Sequence, residues 1–228
     1  MLNSISKRDF VRSPIIAGAV AGVGSLPLIA LLLVLSVPRE GAAAAQSSRD
    51  DWKRVHSALD LQALLTHSLA DAPLTSAERA QIYKVIDDKT IHDSFTDDQR
   101  DEERKTVLSA RVGRIGLADD GSQQILVEGP SMFCGATGNC SLWVFNRHDG
   151  KLQLVLAAGG GLFFVRQTSR HGYHDVATGW HMSAFEEAYA VYGWNGTKYE
   201  QIDCYGVAFD RNSSGGPPAV TDCPKTSQ

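Results

Sequence analysis

The sequence lacks the short residue patterns by which many catalytic and cofactor sites are recognised. Its four cysteines show no two-residue spacing of the kind that zinc sites use. The triple glycine at 159–161 is not followed by Lys-Ser or Lys-Thr, as a phosphate-binding loop requires. Asp119-Asp120-Gly121 lacks the spaced ligands of an EF-hand. The sequence therefore contains no motif that indicates a particular reaction, and we expect no cofactor.

Basic residues are too few for a nucleic-acid-binding surface. The chain has 22 Lys and Arg against 26 Asp and Glu, a net charge of −4. Residues 46–228 alone carry −6, because the first 45 residues contain four basic and two acidic side chains. Nucleic acids are held mainly by Lys and Arg contacts to phosphate, and anionic lipid also needs a cationic surface. We expect no nucleic-acid partner, and membrane contact only through an uncleaved N-terminal segment.

The N-terminal 45 residues read as a signal peptide or a signal anchor. Basic residues precede the apolar run Pro14–Pro38, and a small-residue stretch ending at Ala45 offers a cleavage site that would leave Gln46 first. Lys7-Arg8 resembles the twin-arginine export signal with Lys in place of the first Arg, so Tat and Sec export both remain open. An uncleaved Pro14–Pro38 is long enough to span a bilayer. Either way we expect a periplasmic or extracellular location, with a membrane anchor if cleavage does not occur.

The cysteines agree with export. All four follow the signal segment, and an even count in an exported chain favours disulfides. Three pairings are possible. We prefer Cys134–Cys140 and Cys204–Cys223, because each pair closes a loop rich in small or turn-forming residues.

Hydrophobic periodicity predicts an α+β chain with an N-terminal helical arm at 46–105. Apolar residues recur at three- and four-residue steps, and Thr75 with Glu78 forms a capping box. The predicted helices lie over 49–72, 76–87 and 97–105.

Beyond Thr106 the period changes to that of short strands joined by tight turns. The unbroken apolar run Leu142–Phe145 marks a central strand, and Asn195-Gly196 is a strong two-residue hairpin signal. We predict a disulfide-stapled antiparallel meander over 106–209, as a sandwich or a propeller-like sheet, followed by an irregular tail at 210–228.

Aromatic residues near the end of the β region are the candidate binding surface. Trp180, His181, Tyr192 and Trp194 are candidates for contact with a protein or glycan ligand, and Tyr192 and Trp194 share a strand face at spacing two. The alternative is that these aromatic residues pack in the core, as aromatic residues of antiparallel strands usually do.

Histidines and a carboxylate form the densest polar constellation. His171, His174 and Asp175 are candidate metal ligands, since imidazole and carboxylate together bind zinc or copper. His174, Asp175 and His181 are the residues that a hydrolase would use. The alternative is a polar turn, and residues seven apart in a strand lie on opposite faces. We assign no catalytic residue.

Gly172-Tyr173-His174-Asp175-Val176-Ala177-Thr178-Gly179 resembles the Gly-x-x-Asp core of FG-GAP-type repeats in integrin-like propellers and exported bacterial proteins. The hairpin at Trp194-Asn195-Gly196 is of a kind that often follows such repeats, and the similar stretch runs over 161–199. The resemblance implies a propeller-like sheet in an exported protein.

The reading that these observations favour is an exported, non-catalytic binding protein of the bacterial cell envelope. A hydrolase and a membrane-tethered structural protein are the alternatives.

Overall fold

The structure, a computed structural model, describes residues 59–91, 94–209 and 219–223, with the backbone alone for residues 89 and 90. Three α-helices lie within these residues, together with a π-helical turn at Asp87–Ile91 and 3-10 turns at Asp97–Gln99 and Ser131–Phe133. The helices are α1 (Leu61–Leu64), α2 (Ser76–Ile86) and α3 (Arg100–Leu108). Ten strands make up the rest: β1 (His67–Ser68), β2 (Arg111–Gly116), β3 (Gln123–Glu128), β4 (Cys140–His148), β5 (Lys151–Gly160), β6 (Leu162–Arg170), β7 (Tyr173–Ser183), β8 (Glu186–Trp194), β9 (Tyr199–Ala208) and β10 (Ala219–Thr221).

The strands form two five-stranded antiparallel sheets, each a simple meander. The first sheet has the order β1-β2-β3-β4-β5 and the second β10-β9-β8-β7-β6. Both predicted disulfides, Cys134–Cys140 and Cys204–Cys223, are present. The predicted antiparallel, disulfide-stapled β region is therefore confirmed.

A glycine corner carries the chain from the first sheet to the second. Gly160 has a φ of +140°, and a Cβ there would lie 2.4 Å from the Gly179 carbonyl oxygen. The amide of Gly161 donates to that same oxygen at 3.0 Å. A second contact lies near the start of β7, where the His174 amide donates to the Leu117 carbonyl at 2.7 Å. The two sheets are thus joined through the backbone at two places along β7.

The main core lies between the two sheets, which is the arrangement of a sandwich. Alternate residues of facing strands contribute to it, since side chains alternate between the faces of a strand. Its buried members are Leu61, Leu65, Ile115, Leu117, Leu126, Leu142, Val144, Val155, Leu156, Phe163, Val176, Trp194 and Tyr199.

Helices α2 and α3 cover the other face of the first sheet. The predicted capping box begins α2: the Glu78 amide donates to the Thr75 hydroxyl, and the Glu78 carboxylate accepts from the Thr75 amide. Ile82 and Ile86 of α2 are fully buried in a second cluster with side chains of the first sheet, among them Phe145. The helices predicted over 76–87 and 97–105 are therefore confirmed, the second with a 3-10 start.

The helix predicted over 49–72 is wrong for residues 59–72, where only Leu61–Leu64 is α-helical. Asp60 caps α1, and the chain then forms strand β1 beside β2. The reason is that Leu65 packs between the two sheets, whereas Leu69 packs in the second cluster, with Ile82 and Ile86 of α2. Residues four apart in a straight helix lie on the same face, so one helix could not place these two leucines in different layers. Residues 49–58 lie outside the described residues, so the helical arm there stays a prediction.

Two smaller corrections concern the C-terminal half. The turn between β8 and β9 has four residues, 195–198, rather than two, because the Asn195 side chain accepts from the amides of Thr197 and Lys198. Within the predicted irregular tail, Ala219–Thr221 forms β10, which pairs with β9 next to the Cys204–Cys223 disulfide. No helix in the described part of the chain is long and apolar enough to cross a membrane, and Pro14–Pro38 lies outside that part.

Candidate functional site

A cavity of about 390 Å³ lies where β4 and β5 approach the corner between the sheets. Two of the predicted binding residues, Trp180 of β7 and Tyr192 of β8, line it. The other lining residues are Phe133, Asn139, Cys140, Ser141, Gly159 and Gly160. The cavity thus joins the disulfide loop to aromatic side chains of the second sheet.

The loop closed by Cys134–Cys140 forms one wall of the cavity and is built from its own hydrogen bonds. The Gly135 amide donates to the Asn139 carbonyl at 2.9 Å, and the Gly138 amide donates to the Gly135 carbonyl at 2.8 Å. Gly138 has a φ of +76°, a conformation that favours glycine. The disulfide and the small residues therefore fix a compact wall.

The side chain of Asn139 fastens this loop to β7. Its Oδ1 accepts from the His181 amide at 3.1 Å, and its Nδ2 donates to the His181 carbonyl at 2.9 Å. The amide group thus acts as a neighbouring strand would, satisfying both backbone groups of His181. This contact holds the loop against the strand that carries Trp180.

The polar groups of the lining are few and mostly engaged. Trp180 Nε1 donates to the Met182 sulfur at 3.0 Å, and Asn139 is occupied by His181. Burial raises the pKa of Tyr192, and the neighbouring Thr178 hydroxyl opposes part of that rise. Within the part of the chain that the structure describes, no charged side chain lines the cavity. The surface offered to a ligand is therefore apolar and aromatic, with the hydroxyls of Ser141 and Tyr192.

Exposed methionines neighbour the cavity on two sides. Met132 precedes the lining residue Phe133 and is 65% exposed, and Met182 contacts Trp180 and is 51% exposed. These are the chain's two methionines besides Met1. Long unbranched apolar side chains in solvent next to an apolar cavity are typical of binding surfaces.

Trp194, although predicted with Tyr192, lies in the core and not in the cavity. It is 7% exposed and stacks on Tyr173 with ring centroids 4.2 Å apart. Tyr199 packs edge-on against it at 5.3 Å. The shared face was predicted correctly, but Trp194 lies deeper, where the inter-sheet core closes over it.

The side chain of His181 belongs to a different group of residues on β7 and β8. Its Nδ1 lies 3.2 Å from Glu187 Oε1, directly across the strand pair. Glu187 Oε2 accepts from the Tyr189 hydroxyl, and burial, with Glu187 beside it, raises the pKa of Tyr189. Tyr189 in turn stacks on Tyr205 at 5.0 Å. His181 is thus an imidazole held by a half-buried carboxylate.

The structure does not bring His174, Asp175 and His181 together. His174 Nε2 lies 3.4 Å from Asp119 Oδ1, whereas buried Asp175 accepts from Thr168 and Arg170. His174 and Asp175 are neighbours in β7 and lie on opposite faces, and Asp175 is separated from His181 by about 20 Å of strand.

The predicted metal ligands have no shared site either. His171 lies exposed in the turn before β7 with a φ of 50°. Among the described residues, no three His, Cys, Asp or Glu side chains gather as metal ligands would. The structure therefore gives the metal hypothesis for His171, His174 and Asp175 no support.

Comparisons with protein-family models, with curated proteins and with solved structures found no match for this chain. The geometry of its own residues is what carries a functional proposal.

Proposed function

We propose that this chain is an exported, non-catalytic binding protein of the cell envelope, with its ligand in the cavity between the disulfide loop and β7–β8. The observation that carries the proposal is the lining itself, in which Phe133, Trp180 and Tyr192 surround a space with no charged side chain among the described residues. Concave sites with aromatic walls and few polar groups are the usual form of ligand sites. The resemblance of 172–179 to segments of exported FG-GAP proteins agrees with this proposal.

Export is supported by the two disulfides, which persist in oxidising compartments. The intact mass of the exported protein, with and without reductant, tests this part. A chain that begins at Gln46 and gains four protons on reduction is the expected result. A chain that retains residues 1–45 and stays with the membrane would instead identify the membrane-tethered alternative.

A cavity-filling variant tests the binding site. A Cβ at Gly159 would have no neighbour closer than 3.8 Å, so Gly159→Leu is expected to fold and to occupy the cavity. Gly116→Leu is the matched control, since a Cβ there meets nothing within 4 Å and Gly116 is not a lining residue. Peptide, glycan and lipid panels are screened for a rise in Tm. Ligands that stabilise the natural protein and Gly116→Leu, but not Gly159→Leu, would support the proposal.

A hydrolase is the second candidate, and the contact between His181 and Glu187 is the observation that favours it. A carboxylate on Nδ1 orients an imidazole so that Nε2 acts as general base. A screen with ester, amide, glycoside and phosphoester substrates tests this. Turnover that falls about 10²–10⁴-fold in both His181→Gln and Glu187→Gln would replace the binding proposal with this one.

A further inference from the structure

We infer that the cavity accepts an apolar side chain of an extended polypeptide partner whose neighbouring residues are basic. This inference rests on the proposed binding function and adds the chemical class of the ligand. Four features of the described residues carry it: the engaged polar groups, the two hydroxyls, the methionines and the charges near the cavity.

The first feature is that two hydrogen-bonding side chains of the lining, Asn139 and Trp180, already have partners in the protein. Asn139 Nδ2 donates to the His181 carbonyl and to the Thr137 hydroxyl, and Asn139 Oδ1 accepts from the His181 amide. The single N–H of the Trp180 indole points to the Met182 sulfur. A ligand therefore meets the aromatic rings of these walls rather than free donors and acceptors.

The second feature is what remains, namely the Ser141 hydroxyl and the Tyr192 hydroxyl, which Thr178 engages in part. A sugar ring carries several hydroxyl groups, and each one buried without a partner costs about 1–3 kcal/mol. An apolar side chain brings no such groups into the cavity. The two hydroxyls then suit one N–H and one C=O of the backbone on either side of that side chain. The balance of polar groups favours a peptide over a glycan.

The third feature is the pair of exposed methionines, Met132 and Met182, which neighbour the lining residues Phe133 and Trp180. Thioether side chains adapt their shape and pack against apolar groups of different outline. They extend the apolar surface beyond the cavity itself. A partner that continues as a chain past the cavity covers both of them, whereas a compact small molecule does not.

The fourth feature is charge. Among the described residues the lining has no charged side chain, but Glu186, the first residue of β8 after the turn that follows Ser183, is exposed. Residues 46–228 as a whole carry a net charge of −6. Basic residues next to the apolar anchor are therefore attracted to this surface, and acidic ones are repelled.

Capped seven-residue peptides with a central leucine between two lysines are the probe. Binding is followed on the Trp180 indole N–H resonance, which Trp180→Phe assigns, and by anisotropy of the labelled peptide. Replacing the central leucine with alanine is expected to weaken binding about tenfold or more, because most of the buried apolar surface is removed. Replacing both lysines with serine is expected to weaken it a few-fold at low salt, and the difference shrinks toward 0.5 M NaCl, roughly, as charges are screened.

Gly159→Leu is expected to abolish the peptide response, and Gly116→Leu is expected to keep it. Should Gly159→Leu fail to fold, as judged by its amide spectrum, Ser141→Leu takes its place, since Ser141 also lines the cavity. Cellobiose and laurate are titrated in the same way as the peptides.

The possible results distinguish the inferred polypeptide ligand from the proposed binding function on which it rests. A response to the leucine peptide that is lost in the filled variant supports both. A response to cellobiose or laurate in place of the peptide, also lost in the filled variant, overturns the polypeptide class and leaves the binding function in place. No response to any of the three probes overturns the inference and removes the support for this cavity as a binding site.

Discussion

The carboxylate of Glu78 joins two layers of the molecule through a single residue. Its Oε1 accepts from Arg147 Nε at 2.5 Å, and its Oε2 accepts from the Thr75 amide at 2.9 Å. The hydrogen bond from Arg147 is the largest cause that lowers the pKa of Glu78 to about 2, and burial opposes it. One ionised group therefore both caps α2 and fastens it to β4.

Glu78→Gln is expected to lower the free energy of unfolding near pH 7 by about 1–2 kcal/mol, after allowance for the partial exposure of Arg147. The folded pKa of about 2 lies below the ordinary value of 4.5. The ionised carboxylate therefore stabilises the fold fully above pH 4.5, and this contribution is lost as the pH falls toward 2. Urea unfolding at several pH values across this window measures the difference between the two proteins, which should shrink on acidification.

Glu102→Gln is the control for this prediction, because Glu102 is an exposed partner of Lys105 at 3.6 Å. Its effect is expected to be small at every pH. A loss of stability in Glu78→Gln that is the same at acidic and neutral pH would show that the ion pair is not its cause.

Single residues of the candidate site differ in how far the sequence predicts them. Trp180 and Tyr192 are candidates because of their aromatic side chains, and both line the cavity. Strand alternation places Trp194 on the same face as Tyr192, but alternation assigns a face and not a depth. Asn139 is missed, since its partner His181 is 42 residues away and no local pattern reports such a contact.

At the scale of the element, strand β2 contains two glycines with opposite environments. A Cβ at Gly113 would lie 2.2 Å from the Leu64 carbonyl oxygen, so α1 and β2 approach each other there as only glycine allows. A Cβ at Gly116 meets nothing within 4 Å. Substitutions at these two positions can therefore be compared to test how much the close approach of α1 to β2 contributes to stability.

Gly113→Ala is expected to lower the free energy of unfolding by about 1–3 kcal/mol, because the α1 backbone must move and the packing of Leu61 and Leu65 is loosened. Gly116→Ala, its matched control, is expected to be neutral or stabilising by less than about 1 kcal/mol, since it restricts the unfolded chain without a clash. Urea unfolding midpoints measure both. Equal midpoints for the two variants would mean that the contact between Gly113 and Leu64 contributes little.

Sequence periodicity predicts an element well when it buries one face in one cluster. It fails when neighbouring residues of a segment pack into two different clusters. Helix α2 has its capping box and a single apolar stripe, both readable locally. The segment over 59–72 carries leucines at helical spacing, but Leu65 and Leu69 pack into different clusters. Periodicity cannot detect such a division, because it depends on two layers that meet only in the folded chain.

For the molecule as a whole, the two disulfides are expected to matter in different ways. Replacing Cys204 and Cys223 with alanine opens a loop with a sequence separation of 19. The chain-entropy model gives a loss of about 3 kcal/mol for a loop of this length and somewhat less for the shorter Cys134–Cys140 loop. Urea unfolding without reductant measures both losses.

Ligand binding should respond in the opposite order, because Cys140 lines the cavity and Cys204 and Cys223 do not. Titration with a ligand of the cavity, followed on the Trp180 indole resonance, compares the two double variants. Stronger impairment of binding by loss of Cys204–Cys223 would contradict the placement of the site at the Cys134–Cys140 loop.

The contiguity of the two sheets has a consequence for how the chain reaches its folded state. Residues 67–160 supply every strand of the first sheet, and the second sheet begins only at Leu162. In a chain that emerges from its N-terminus, the first sheet can complete its pairing while the second is still absent. The inner face of the first sheet, with Leu126, Leu142 and Val144, then stays exposed to solvent until β6–β9 have been synthesised and pack against it. The synthesis of residues 162–208, rather than the formation of the first sheet, is the interval in which this protein is most open to aggregation.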